Sequence, residues 1–504
     1  MKKIFIWAFC LPFISLSQLP GDDLFPVNQV IRVDITFNQT GFWDSLVANY
    51  PLEQDMMAAQ FKITDLNGEH IMDSIAIRLK GNSTYGHPGN KKSFKIDINQ
   101  WVTGQDYDGM KKMNFNNGFK DPSFMREKLY FDLCKSLGIL APRVNYANVY
   151  MNGTFWGFYI VVEQVDKQFL DWATVDNQGN LFKAGDNSNG QTPADLMYYG
   201  QASSSYTSRY ELKTNEDLND WSDFISLINF INNSTDAEFE ANFATNINRT
   251  AYIRSVVLDN LFSNLDSYLN SGRNYYMYHN LTTGQWEWIK WDANETFGTY
   301  SGMGGGNLIQ LAPNYIVNSR PLASRMLANT AMYQEYTEYM CSMLSTYFNS
   351  SYMDAKIDEI KTLIEPHVTA DNHKMYTTQN FLDNTDQNIT VTGGMGNQTI
   401  YGLKSFVSER NAYLTGVLTC SNGIDENAKS NLNIAPNPFE NTFVVSSEIS
   451  NIQIVDVAGK QVSFTIKNIG NGLQQIELIG NSGYYFMNFI YNNKSENIKL
   501  VKQN

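Results

Sequence analysis

The sequence predicts an α+β protein in three stretches: a β-rich segment, a mostly helical one and a small C-terminal β-sandwich. Three observations carry that expectation. Val30 to Phe37 and Asp73 to Lys80 alternate apolar and polar residues, the period of two that a half-buried strand needs. From about Leu218 the apolar spacing becomes helical, through DLNDWSDFISLINFINN, DAEFEANFATNI and NRTAYIRSVVLDNLFSN. Beyond a polar, Gly/Asn-rich run at residues 421–430, residues 431–504 hold short strands at turn-punctuated intervals, the pattern of a small sandwich.

Taking the elements in order, residues 1–17 read as a secretory signal. Lys2 and Lys3 precede an apolar run, and Ser15-Leu16-Ser17 offers small residues before a cut at Gln18. No later run reaches the ~18 apolar residues of a membrane-spanning helix, so an exported chain without a transmembrane segment is expected. The strand ending at Lys80 is followed by a glycine-rich connection, Gly81 to Asn90, and a returning strand, Lys91 to Asn99. Asp121 is a credible cap for a helix running to Gly138, with Pro122 in its first turn. NYANVYMN and TFWGFYIVVE read as two strands joined at Asn152-Gly153, a strong hairpin signal. The domains expected are 1–17 signal, 18–420 main domain, 421–430 linker and 431–504 C-terminal domain.

A chain of 504 residues has ample length for more than one core. A net charge of −14 argues against a general nucleic-acid binder, whose footprint is basic. Only Cys134, Cys341 and Cys420 remain after signal cleavage, which permits one disulfide at most. Cys134 and Cys341 lie in helical apolar patterns and are expected to be buried thiols.

The chemistry concentrates between Leu258 and Gly298. Asp266 and Asn274 precede one aromatic-rich strand, Tyr275 to His279, and Asp292 follows a second, Trp286 to Trp291. If the two strands pair, the open end of the hairpin brings Asp266, Asn274 and Asp292 together. Oxygen ligands from two loops suit Mg²⁺, which takes one or two carboxylates plus phosphate oxygens. An acidic loop, a hairpin and an Asp after a strand is also the order in which kinases place a catalytic base and a metal-holding Asp.

Two resemblances follow. Ile434 to Phe439, Ile454 to Lys460, Gly483 to Phe486 and Lys499 to Lys502 resemble, in order, the type IX secretion sorting domain of Bacteroidota. That implies the type IX machinery as partner and a location outside the cell or on its surface. Residues ~28 to ~418 resemble the spore coat protein H (CotH-type) atypical kinases. The carriers are Arg78 to Ser83, Lys91 to Lys95, Phe124 to Leu129, Val149 to Gly153, Gly157 to Tyr159 with Glu163, Asn264 to Asp266, Asn274 to Tyr276, and Trp291 to Asn294 with Phe297-Gly298. The family often has Asp where this chain has Asn294.

The resemblance implies a two-lobed, kinase-like main domain with a β-rich N-lobe and a helical C-lobe, using ATP with Mg²⁺ or Mn²⁺ on Ser/Thr of exported proteins. It gives Asp266 the role of catalytic base, and Asp292 and Asn274 those of metal ligands, with Asn270 a rival for the last. Lys92 would neutralise phosphate charge and Glu127 would pair with it. Lys91 and Lys95 are rivals of Lys92, and with Arg78 and Glu163 they complete the candidate nucleotide-binding residues. On a strand only one set, Lys91 with Lys95 or Lys92, can face the cleft. AMP transfer would need the same acids. A non-catalytic surface adhesion protein is the alternative from another class, and a glycoside hydrolase using two carboxylates is a third reading.

Overall fold

The computed structural model describes residues 19–50, 56–174, 176–185, 192–300, 306–393, 396–420, 439–446, 449–456, 460–470, 473–491 and 494–503. The signal, residues 421–430 and the Ile434 to Pro438 part of the sorting motif lie outside them. The architecture is mixed α+β, and the chain separates into two compact units, residues 1–420 and 421–504.

The first unit begins with a seven-stranded closed barrel. Its strands are β1 (Val30–Thr36), β2 (Met57–Asp65), β3 (Gly68–Leu79), β4 (Phe94–Asp97), β5 (Lys112–Asn116), β6 (Val144–Met151) and β7 (Thr154–Glu163), in the order β1-β2-β3-β4-β5-β7-β6. Parallel pairing of β1 with β6, Val30 opposite Tyr146, closes the sheet and removes its edges. The β6–β7 turn has Asn152 at φ 47° and Gly153 at φ 78°, the positive pair that a two-residue hairpin loop demands. β7 reads as a continuous apolar run because both its faces are covered. Tyr159 and Val161 enter the barrel core, while Phe158, Ile160 and Val162 join the larger core outside it.

Three helices interrupt the barrel strands: α1 (Phe42–Asn49), α2 (Ser83–Gly86) and α3 (Arg126–Ser136). After the barrel come α4 (Lys167–Thr174), β8 (Leu181–Ala184), β9 (Tyr210–Leu212), α5 (Ser222–Asn233), α6 (Asp236–Asn246), α7 (Arg249–Leu261), β10 (Tyr275–Asn280) and β11 (Gln285–Lys290). β11-β10-β8-β9 make a four-stranded sheet. The unit ends with α8 (Pro321–Ala328), α9 (Thr330–Thr346), α10 (Ser350–Ala370), α11 (Thr378–Asp386), the hairpin β12 (Ile389–Gly393) and β13 (Gly396–Ile400), and α12 (Leu403–Val417).

The second unit is β-rich. β14 (Thr442–Ser446), β15 (Ser450–Asp456), β16 (Phe464–Gly470), β17 (Leu473–Leu478), β18 (Gly483–Tyr491) and β19 (Lys494–Lys502) form two three-stranded sheets, β14-β17-β16 and β15-β18-β19. Phe443, Ile454, Ile476, Met487 and Leu500 share their core.

Three local expectations are corrected. The helix expected from Asp121 begins at Arg126, because the Asp121 carboxylate accepts the N–H of Ser123 and then of Arg126, folding residues 121–125 into turns. The strand expected at Lys91 to Asn99 is confined to Phe94–Asp97. Cys341 is not a thiol: it is joined to Cys420, with Cα atoms 5.6 Å apart, while Cys134 is free and buried.

The end of α10 is fastened to the barrel by a buried ion pair, Lys91 Nζ to Asp371 Oδ2 at 2.5 Å. Asp371 also accepts the N–H groups of Phe158 at 3.0 Å and His373 at 2.8 Å. Gly157 leaves room for that carboxylate, since an added Cβ would lie 3.2 Å from it. Asp371→Ala is expected to cost about 3 to 5 kcal/mol in urea unfolding, because it strands a buried ammonium. The pair Lys91→Met, Asp371→Leu should cost clearly less than Asp371→Ala alone. Equal losses would show that the charge pairing does not matter there.

Candidate active site

Asp259, buried near the end of α7, organises the loop that follows it. Its carboxylate accepts from Lys290 Nζ at 2.5 Å, the Tyr130 hydroxyl of α3 at 2.5 Å and the Asn264 amide at 2.8 Å. Its backbone carbonyl accepts the Asn264 N–H at 2.8 Å. The loop therefore leaves α7 in one direction, and Asp266 is delivered to the open end of the β10–β11 hairpin. There the Asn274 amide donates to Asp266 Oδ2 at 2.9 Å and to the Asp266 carbonyl at 2.8 Å. The Asn274 carbonyl accepts the Trp291 N–H at 3.2 Å, one residue before Asp292. Asn274 and Asp292 both have left-handed backbones, φ 62° and 51°, which turn the chain sharply at the mouth of the hairpin. Asp266 Oδ1 is buried and makes no hydrogen bond among the described residues.

Facing this mouth is Glu127, in the first turn of α3. Its carboxylate accepts from the Asn116 amide at 3.0 Å and from the N–H of Ala293, next to Asp292. The lysine directed at Glu127 and Asp292 is Lys80, one residue beyond β3. Lys80 Nζ donates to Asn114 Oδ1 at 3.1 Å and lies 5.8 Å from the Trp291 ring centroid.

The lysines expected in that place are elsewhere. Lys92 Nζ donates to the carbonyls of Tyr85, at 2.6 Å, and His87, so it holds the glycine-rich loop and the single turn α2 inside it. Lys91 points to Asp371. Lys95 shares a barrel face with Arg78, directly opposite it in the β3–β4 register. The Glu163 carboxylate is occupied by Arg143, whose Nη2 donates at 2.7 Å and Nε at 3.0 Å, and by Trp172 Nε1 at 2.9 Å. Its side chain thus fixes the end of β7. Asn270 Oδ1 accepts from Tyr315 at 2.9 Å, which turns it away from the Asp266–Asn274 pair. Asn294 donates to the Phe119 carbonyl at 2.9 Å. Trp286 and Trp288 belong to the core.

The sequence reading passed over Lys80, Lys120 and Glu295. Lys80 closes the DSIAIRLK alternation in phase with Arg78, and that phase was the available signal. Glu295 is paired with Lys120 at 2.9 Å and 3.0 Å, a contact across 175 residues that no spacing rule reveals.

Burial and mutual repulsion govern the electrostatics. Burial, then the charge of Asp292, holds the Glu127 carboxyl well above the usual carboxylate range. Burial and Asp266 push Glu295 up to about 7, against the pull of Lys120. Burial also raises Asp266, countered by Ser271, Arg273, Asn274 and Lys120. Lys80 is pushed down by burial and held up by Asp292 and Glu127. Among the described residues no three or more His, Cys, Asp and Glu side chains group closely enough to hold a metal ion by themselves. The donors at the hairpin mouth, Asp292 and Asn274, suit a hard cation that takes its remaining oxygens from phosphate and water, and the unbonded Asp266 Oδ1 beside them is left to accept a proton.

An α+β protein with a strand-end lysine and a helix glutamate opposite a loop Asp and a post-strand Asp has the parts of a phosphotransfer site. Residues 77–414 match the family described as CotH kinase protein, and the chain belongs to that family. Residues 433–503 match the secretion system C-terminal sorting domain, which marks the chain for type IX export to the cell surface or beyond it. Inner spore coat protein H of Bacillus subtilis is 29% identical over 288 residues, 56% of this chain and 75% of that protein. Invasin CotH2 of Rhizopus delemar is 21% identical over 345 residues, 65% of this chain and 55% of the invasin. Among the described residues no helix is long and apolar enough to cross a membrane.

Asp259→Ala is expected to destabilise the first unit by at least about 3 kcal/mol, because Lys290 and Tyr130 lose a buried partner together. Asp292 is exposed, and Asp292→Gly should leave stability within about 1 kcal/mol, since glycine accepts its left-handed backbone. Denaturant unfolding of both variants checks this. A loss with Asp292→Gly as large as that with Asp259→Ala would mean that Asp292 is a structural residue.

Proposed function

We propose that this protein is an exported kinase of two-lobed, kinase-like layout, the barrel forming one lobe and the helical remainder of the first unit the other. It transfers the γ-phosphate of ATP to Ser or Thr hydroxyls of exported or surface proteins. The observation that carries this reading is the gathering of Lys80, Glu127 and Asp292, close enough for their charges to act on one another, at the same hairpin mouth as the Asp266–Asn274 hydrogen bond. In this reading Asp292 and Asn274 hold Mg²⁺, which neutralises phosphate charge when bound. Lys80 takes the phosphate-binding role first expected of Lys92, and Glu127 keeps its ammonium in place. Asp266 Oδ1 receives the proton of the acceptor hydroxyl as its oxygen attacks phosphorus and the bond to the ADP oxygen breaks. Asn274 holds the other carboxylate oxygen and so aims Oδ1. Glu163 can serve a nucleotide only through its main chain, because its carboxylate is committed to Arg143.

A second reading, surface adhesion on the same fold, is favoured by the relationship to an invasin. A pure binder has no use for two acids and a lysine–glutamate pair converging on one place. In either case residues 431–504 serve as a separable address that contributes nothing to the cleft.

Asp292→Ala is expected to abolish Mg²⁺-dependent ATP binding in calorimetry, with the fold intact by thermal melt. Asp266→Asn should keep ATP affinity within a few-fold while lowering transfer by ~10² or more. Lys80→Ala should remove transfer, whereas Lys92→Ala should retain most of it. Incubation with γ- and α-labelled ATP is the readout: γ-label on acceptor protein supports the kinase, α-label means AMP transfer, and neither leaves the adhesion reading. A chain ending at Cys420 should melt as a folded unit and keep its activity; an unfolded or inactive product would place residues 431–504 within the enzyme.

A further inference from the structure

The outer face of the barrel carries a second group of cations, distinct from the Lys80 cluster. On β3, β4 and β5 the inward residues Ile77, Leu79, Phe94, Ile96, Met113 and Phe115 fill the barrel core. Alternation therefore commits Arg78, Lys95 and Lys112 to the outer face. Register places Arg78 opposite Lys95, Lys95 opposite Asn114, and Lys112 opposite Asp97. The strongest charges acting on the half-buried Lys95 are Lys112, Arg78, Lys213 and Lys80, all of them cations, with Lys213 following β9 of the neighbouring sheet. Burial and these neighbours push Lys95 down to about 7.

Two of the acids nearby are paired with cations of this same group, and none is bonded to Lys95. Asp97 lies 3.5 Å from Lys112, Glu211 lies 2.6 Å from Lys213, and Asp166 accepts the N–H groups of Gln168 and Phe169 at 3.0 and 3.4 Å. Lys95 itself forms no ion pair or hydrogen bond among the described residues. Lys80, by contrast, is turned toward Asn114, Glu127 and Asp292. Like charges gathered on a partly buried face repel one another, and an anionic ligand relieves that repulsion. A guanidinium fork with several ammonium groups approaching from two sheets suits a compact, multiply charged oxyanion better than a single carboxylate.

We propose that Arg78, Lys95, Lys112 and Lys213 form a binding site for a phosphate-class oxyanion, separate from the Lys80–Glu127–Asp292 group and formed without metal. The phosphate comes either from the tail of a nucleotide in the cleft or from a phosphorylated group on another molecule.

The test is thermal shift and calorimetry on the full chain with inorganic pyrophosphate and a chelator. The wild type should gain stability as pyrophosphate is added. Lys95→Met should melt higher than wild type without ligand, because the repulsion is gone, and should bind pyrophosphate at least tenfold more weakly. Lys95→Arg should keep the binding, and Lys356→Met, a change on an exposed helix, should behave as wild type. If ATP displaces pyrophosphate, and Lys95→Met weakens ATP more than AMP, the nucleotide tail is the source. If ATP and pyrophosphate bind together, the source is a separate molecule. Equal pyrophosphate affinity in wild type and Lys95→Met, or none in either, overturns the site. Asp292→Ala should still bind pyrophosphate, so failure of the kinase reading and failure of this one are told apart.

Discussion

The candidate site depends on one buried carboxylate, Asp259. Lys290, Tyr130 and Asn264 all donate to it, and each belongs to a different element. Lys290 ends the strand that leads to Asp292, Tyr130 lies one turn beyond Glu127 on α3, and Asn264 opens the loop that carries Asp266. A single ion thus fixes the relative positions of the three acids of the candidate site. Low local dielectric makes such a network strong when every member is satisfied and costly when one is missing. None of these three partners is itself placed at the reacting atoms; their effect is positional.

Above that anchor, the barrel decides which lysine can serve. Strand alternation sends Ile77 and Leu79 inward, so Arg78 and the residue after the strand, Lys80, fall on the side that faces Glu127. Lys91 and Lys92 precede β4 rather than lying on it, and without strand geometry their direction is set by local partners, Asp371 and the Tyr85 and His87 carbonyls. The lysine richness of that segment is therefore structural. One lysine ties the barrel to α10, and the other holds the glycine-rich loop.

What was legible in the sequence follows the same division between local and long-range causes. The two-residue turn at Asn152-Gly153, the alternation of β3, the helices after Leu218 and the hairpin beneath Asp266 and Asp292 depend on neighbours within a few residues. Asn274 at the mouth of that hairpin was also readable from its place just before the first strand. The Lys120–Glu295 pair, the Lys91–Asp371 lock and the Cys341–Cys420 bond join residues 175, 280 and 79 positions apart, and no periodicity encodes such contacts. The Asp121 turn was misread for a subtler reason. Asp-Pro-Ser serves equally as a helix start or as a turn, and the carboxylate's bond to the Arg126 N–H settles it for the turn.

The disulfide bears on how such a site survives outside the cytoplasm. Cys420 is the last residue of the first unit, and its bond to Cys341 returns the end of that unit to α9. α12 is thereby enclosed in a covalent loop of 79 residues, which restricts the unfolded chain and adds stability on the order of 4 kcal/mol in the loop-entropy account. α12 contributes Arg410, whose guanidinium donates to the carbonyls of Asn260 at 2.8 Å and Ile309 at 2.9 Å. Asn260 adjoins Asp259, so the covalent loop supports the backbone on which the whole arrangement of acids rests.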